Sequence, residues 1–141
     1  MKGTVHVKHW NAAGEMLLDE IYENLIVTSG LQWIAGRLNN PSPDVMNYIA
    51  VGTSATAPAL NQTTLVAEVA RVAITVAGGS VSGQTIAYNA TFGPGVATDS
   101  LYEAGIFQLN SGSTMLSRVT YPVINKGAGD TVSILWTVAA Q

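Results

Sequence analysis

Residues 102–123 read YEAGIFQLNSGSTMLSRVTYPV: an apolar run, an Asn-Ser-Gly-Ser turn and a second apolar run. Two such runs around a short turn of this composition predict a β-hairpin. Each run holds one charged residue, Glu103 in the first and Arg118 in the second, in a chain that otherwise avoids charge. On consecutive strands the two are near enough to be cross-strand or diagonal partners. The pair then fixes register, because a slip of one residue turns its member to the opposite face. Its net contribution to stability is expected to be near zero, since desolvation offsets attraction. Construction is the favoured role, ahead of catalysis.

The same reading extends in both directions. In TVHVKHW (4–10), Val5 and Val7 share one face and His6 and Lys8 the other, a period of two that predicts a half-buried strand. Asn11–Gly14 forms a turn and EMLLDEIYE returns as a second strand. Downstream, NYIAVGT, RVAITVA, QTIAYNATF, LYEAGIFQL, TMLSRVTYPV and TVSILWTVA read as strands between turn-forming stretches, spaced as in a sandwich or barrel. TLVAEVARVA (64–73) also suits a helical period and is read as a short turn or helix entering a strand. One helix is expected near 29–38, capped by Thr28 or Ser29, with Leu31, Ile34, Ala35 and Leu38 as its apolar stripe and Pro41 and Pro43 ending it. About eight strands and one helix, with no repeat or linker between them, predict an all-β, two-sheet sandwich forming a single domain over 1–141.

Composition narrows the function. Charged residues are 11% of the 141, against about 25% in an ordinary soluble domain. Twenty-four Ser and Thr and fourteen Asn and Gln take their place, while 48% of residues are hydrophobic and mean hydropathy is +0.27. Such a surface, wet but scarcely charged, reads either as a salt-indifferent exterior or, slightly favoured by the hydrophobic content, as an exterior partly covered by other protein. With six Lys and Arg, unclustered, and a net charge of −3, no nucleic-acid partner is expected. The absence of cysteine excludes disulfides and thiolate metal sites. No apolar run approaches the ~20 residues of a spanning helix, so no membrane partner is expected. The alternating N-terminal residues do not form the apolar core of a signal peptide.

No constellation identifies a reaction. His6 and His9, three apart in one predicted strand, point to opposite faces and cannot grip one ion; they are expected as surface or interface imidazoles beside Trp10. The glycine stretches AGGSVSGQ and FGPGVAT have neither phosphate-loop nor dinucleotide spacing, and no nucleophile elbow occurs. Glu68, Asp99 and Glu103 could in principle supply a glycosidase carboxylate pair, but each has a simpler role. Asp99 belongs to a turn, Glu103 faces Arg118, and Glu68 can pair with Arg71 if that segment is helical. No enzyme activity, cofactor or metal is expected. Two sequons, at Asn61 and Asn89, are read as chance.

The segments YIAVGTSATAPALNQTTLVAEVARVAI (48–74) and ATFGPGVATDSLYEAGIFQLNSGSTMLSRVTYPVINKGAGDTVSILWTV (90–138) resemble small virion structural proteins of tailed bacteriophages. The shared pattern runs Ala50–Thr53, a Thr/Ala/Pro loop, Leu65–Arg71, Glu103–Phe107, Met115–Arg118 and Lys126, with NLIVTSGLQWIAGRL upstream, and spans about two-thirds of the chain. The resemblance is greatest to capsid cement (decoration) proteins of short-tailed phages such as that of Bordetella. It implies a jelly-roll type sandwich on the outer face of the virion capsid, bound to the major capsid protein and to itself, as a homodimer in preference to a trimer. A tail-fibre or baseplate adaptor or receptor-binding module is the alternative it implies. Trp10, Tyr22, Trp33, Tyr48 and Tyr102 are the candidate interface residues, since amphipathic aromatics lead such contacts, with a place in the core as the alternative for each.

Overall fold

In the computed structural model, which describes residues 1–40 and 44–140, apolar alternation resolves into ten strands and one helix. They are β1 (Lys2–Trp10), β2 (Met16–Glu23), β3 (Leu25–Ile26), α1 (Thr28–Asn39), β4 (Tyr48–Gly52), β5 (Glu68–Ala73), β6 (Ser80–Ser82), β7 (Thr85–Phe92), β8 (Ser100–Phe107), β9 (Met115–Asn125) and β10 (Thr131–Ala139). Two antiparallel five-stranded sheets result, ordered β2-β1-β10-β7-β6 and β3-β9-β8-β4-β5. The all-β sandwich expected from the sequence is the observed architecture. The strands beyond eight include β3 and β6, only two and three residues long and too short to register as periodic runs.

Alternation dictates the core. Val5, Val7 and His9 on β1 point inward, as do Val132, Ile134, Trp136 and Val138 on β10, and the apolar ones share a core with Ile49, Ala104, Ile106 and Val119 of the opposite sheet. The first hairpin forms as expected: Asn11 Oδ1 accepts from the Ala13 and Glu15 amides, and Gly14 takes the left-handed conformation (φ 81°) that a side chain would resist.

The helix matches its expected span and differs in its cap and its buried face. Its N-cap is Val27, with no side-chain cap bond. The Ser29 hydroxyl donates to the Met115 carbonyl (3.0 Å), and the Thr28 amide is satisfied by Leu60 O (2.9 Å), so tertiary contacts do what a cap would have done. Leu31, Ala35 and Leu38 face outward, Leu38 at 88% exposure; only Ile34 of the expected stripe packs on the core. Gly30 is the buried helical residue, because a Cβ there would collide with the Leu116 carbonyl of β9. Pro41 and Pro43 lie outside the described residues.

From Glu68 onward the ambiguous 64–73 segment is strand, not helix. Its register against β4 slips between Val51 and Gly52, where Val69 is the extra residue of a bulge.

Candidate functional site

Between β4 and β5 the chain makes a fifteen-residue strap, 53–67, across the outer face of the second sheet. Beneath it lie Glu103 and Arg118, both 0% exposed. Gly105 stands opposite Arg118 and Glu103 opposite Thr120, so the two charged residues are diagonal neighbours on one face, the geometry expected of a register-fixing pair. Arg118 Nε donates to Glu103 Oε2 (2.9 Å), and Nη2 lies 2.7 Å from the same oxygen.

The pair does more than join two strands. The Val66 and Ala67 amides donate to Glu103 Oε2 and Oε1 (3.1 and 2.8 Å), while Arg118 Nη1 donates to Thr56 O and Gln62 Oε1 (2.8 and 3.2 Å). Both ends of the strap are therefore held by one buried ion pair, and three of its four hydrogen bonds to the strap are to backbone. Gln62 organises the middle by accepting from the Ala59 amide (2.9 Å). Leu65 drops from the strap into a small second core with Val27, Ala50, Phe107 and Met115. Space for it requires Gly105, whose hypothetical Cβ would stand 2.9 Å from Leu65 Cδ2.

Arg71 builds the adjoining corner. It pairs with Glu68 (Nη2–Oε1 2.7 Å, Nε–Oε2 3.0 Å) although the segment is not helical. Residues three apart in a regular strand face opposite ways; the bulge at Val69 restores them to one side. Its guanidinium stacks 3.8 Å over the Phe107 ring, and Nη1 donates to Leu109 O (2.7 Å) and Gly112 O (3.0 Å). Arg71 thus clamps the β8–β9 turn, where Ser113 adopts φ 73° and its hydroxyl accepts from the Leu109 amide. This role was missed at the sequence level; the Glu-x-x-Arg spacing marks the pair but not the turn it holds.

At another point on the molecule three titratable side chains gather. His9 is buried, which corrects the surface role expected of it: its position in β1 points inward, and Nε2 sits 2.8 Å from Asp130 Oδ2. The Gly127 amide also donates to that oxygen, and together, the amide foremost, they hold the Asp130 carboxyl below the usual carboxylate range. Lys126 is buried with Nζ donating to Gly93 O (2.9 Å), and desolvation lowers its pKa. His6 takes the other face and pairs with Asp19 of β2. The two histidines are therefore on opposite faces, and among the described residues no three His, Cys, Asp or Glu side chains converge as a metal site.

The five aromatic candidates are all half-buried. Tyr22 packs on Tyr121 with ring centroids 5.7 Å apart, Trp33 donates to Asp44 O (3.1 Å) beneath Arg37, and Tyr48 supports the second core. Trp10 stands at the end of β1 beside the first turn, and Tyr102 in the irregular register between Leu101 and Glu103. They do not form one cluster: Tyr22 and Trp33 pack on the main core and Tyr48 on the second.

Chemically the Glu103–Arg118 site can hold chain and cannot readily turn over a substrate, since neither side chain reaches solvent and both carboxylate oxygens are engaged. Glu68 is committed to Arg71. No protein-family model, curated protein or solved structure was found to match the chain.

Proposed function

We propose that this chain is a capsid cement protein, which binds the outer face of a tailed-phage head and bridges neighbouring major capsid subunits without catalysing a reaction. The observation that carries the reading is the convergence of most of the phage-like pattern, Lys126 excepted, on one structural device. Thr53, Leu65–Arg71, Glu103–Phe107 and Met115–Arg118 all meet where the strap is held to the second sheet. The residues read as phage-like thus fall largely on a closed face. The outer face of the first sheet, by contrast, is left open: Thr4, Ser133, Leu135, Thr137, Asn89 and Thr91, small or uncharged residues that suit contact with another protein surface, lie there beside His6, Lys8, Asp19 and Glu23.

Binding only after the subunits have reached their final spacing stabilises the mature shell by linkage, because a ligand that favours one state shifts the equilibrium toward it. Self-association, as a dimer in preference to a trimer, multiplies weak contacts by avidity. The tail-module alternative calls for a pocket lined by aromatic and amide side chains. A cavity of about 370 Å³ has Trp33 and Tyr88 in its wall but, among the described residues, no amide side chain, so it does not supply such a pocket. The test is to add labelled protein to purified heads and tails kept separate. Saturable binding to heads is the expected result; binding confined to tails, or to neither, overturns the proposal.

A further inference from the structure

The two edges of the first sheet differ in chemistry. At one edge, β2 carries Asp19, Glu20 and Glu23, with Glu15 just before it: four acids and no base. At the other, β6 runs Ser80-Val81-Ser82 and turns through Gly83-Gln84 into Thr85 with no charge at all. Edge strands that must stay free are guarded by charge, proline or a bulge, because their unpaired amides and carbonyls invite another strand. Two β2 edges brought together would oppose carboxylates; two β6 edges would not. In the second sheet, β5 has its bulge and the Glu68–Arg71 pair.

β6 is also greasy on the side that faces the other layer. Val81 stands opposite Ile86, two residues from the core residue Tyr88, yet it is 74% exposed because the second sheet does not extend over it. The cavity of about 370 Å³ opens there, walled by Trp33, Ile34, Leu38, Val81, Ile86 and Tyr88. A further space of about 260 Å³ continues it along Val81, Ile86 and Val138. Among the described residues Arg37 is the one charged side chain in these walls, which the N-terminal Met1 also lines, and it stacks on Trp33.

We propose that two copies of this chain join through β6 about a two-fold axis, Val81 lying opposite Val81 of the second copy. The register follows from the turn. In a two-residue hairpin the closing pair, here Ser82 and Thr85, exchanges hydrogen bonds, so the next residue back, Val81, aims its N–H and C=O at the open edge. A Val81–Val81 pair makes two such bonds on the axis and merges the sheets of the two copies. Directly opposed residues share a face, so both valines and both cavities come together between the two α1 helices. An isologous contact of this kind closes on itself and leaves the acid-guarded β2 edges outermost.

The inference rests on the self-association in the proposed function and names its surface; it is measured on the isolated full chain, so its outcome is separate from head binding. The chain has no cysteine, so single cysteines report contacts cleanly, and the ~5.5 Å between Cα atoms of a hydrogen-bonded antiparallel pair lies within disulfide reach. Sedimentation velocity across a concentration series should show a dimer that Val81→Glu weakens at least tenfold with an unchanged circular dichroism spectrum. Val81→Cys should oxidise to a disulfide dimer, and Ile21→Cys, on the guarded edge, should not. A wild-type monomer at every concentration overturns the inference. So does a dimer that survives Val81→Glu and cross-links at Ile21, which would relocate the surface while sparing self-association.

Discussion

The outer face of the second sheet is covered by the chain's own strap, whereas the outer face of the first is bare. Under the strap lie a fully buried ion pair and a small apolar core; on the bare face, His6 and Asp19 pair in solvent among threonines and isolated aliphatics such as Ile21, 63% exposed. Charge on the covered face is part of the interior, and a change there leaves a partner stranded. Charge on the bare face stays hydrated, and a change there leaves the fold nearly indifferent.

The largest expected effect follows from stranding the carboxylate. Arg118→Met should cost about 3–5 kcal/mol, because Glu103 is left buried without its cation. Adding Glu103→Gln should return part of that loss, since a neutral amide oxygen can still accept from the Ala67 amide. Chemical denaturation of both variants measures the difference, and equal stability of the two would mean that the strap does not depend on charge. Next comes Gly105→Ala, expected to cost about 1–3 kcal/mol by pushing Leu65 and Phe107 out of place.

Asp130 tests the region around His9. Its carboxyl titrates below the ordinary ~3.9 in the folded state, so the stability it contributes is present above that value and lost as pH falls through the lower folded one. The melting temperature of the wild type should exceed that of Asp130→Asn near neutrality, and the gap should close below about pH 4. A constant gap would assign the difference to packing alone. The smallest effect is expected on the bare face. Leu135→Thr should move stability by no more than about 0.5 kcal/mol, yet on the proposed function it should reduce occupancy of phage heads. A large loss of stability would show that this face is not free.

Much of this architecture could be read from periodicity. The first hairpin, the span of the helix and the sandwich class each rest on side-chain alternation or spacing within a few residues. Glu103 and Arg118 were likewise visible as partners, because a short turn separates their strands and both break an apolar run. The helix's buried face was not: its exposed leucines mimic a core stripe, and the decisive residue is a glycine chosen by the Leu116 carbonyl. The Glu68–Arg71 pair was expected on the wrong element, since a bulge that restores facing at i, i+3 leaves no mark in the local pattern.

By itself the sequence determined that the chain is a sandwich of short strands with little charge and no thiols, and that one acid and one base belong together across a hairpin. Only the tertiary structure decided that this pair grips a strap whose contacts lie 36 to 62 residues away, and that the two edges of one sheet are guarded so unequally. The physical reason is range. Alternation and turn chemistry act between neighbours, whereas desolvating a charge or baring an edge depends on which distant segment comes to lie on top.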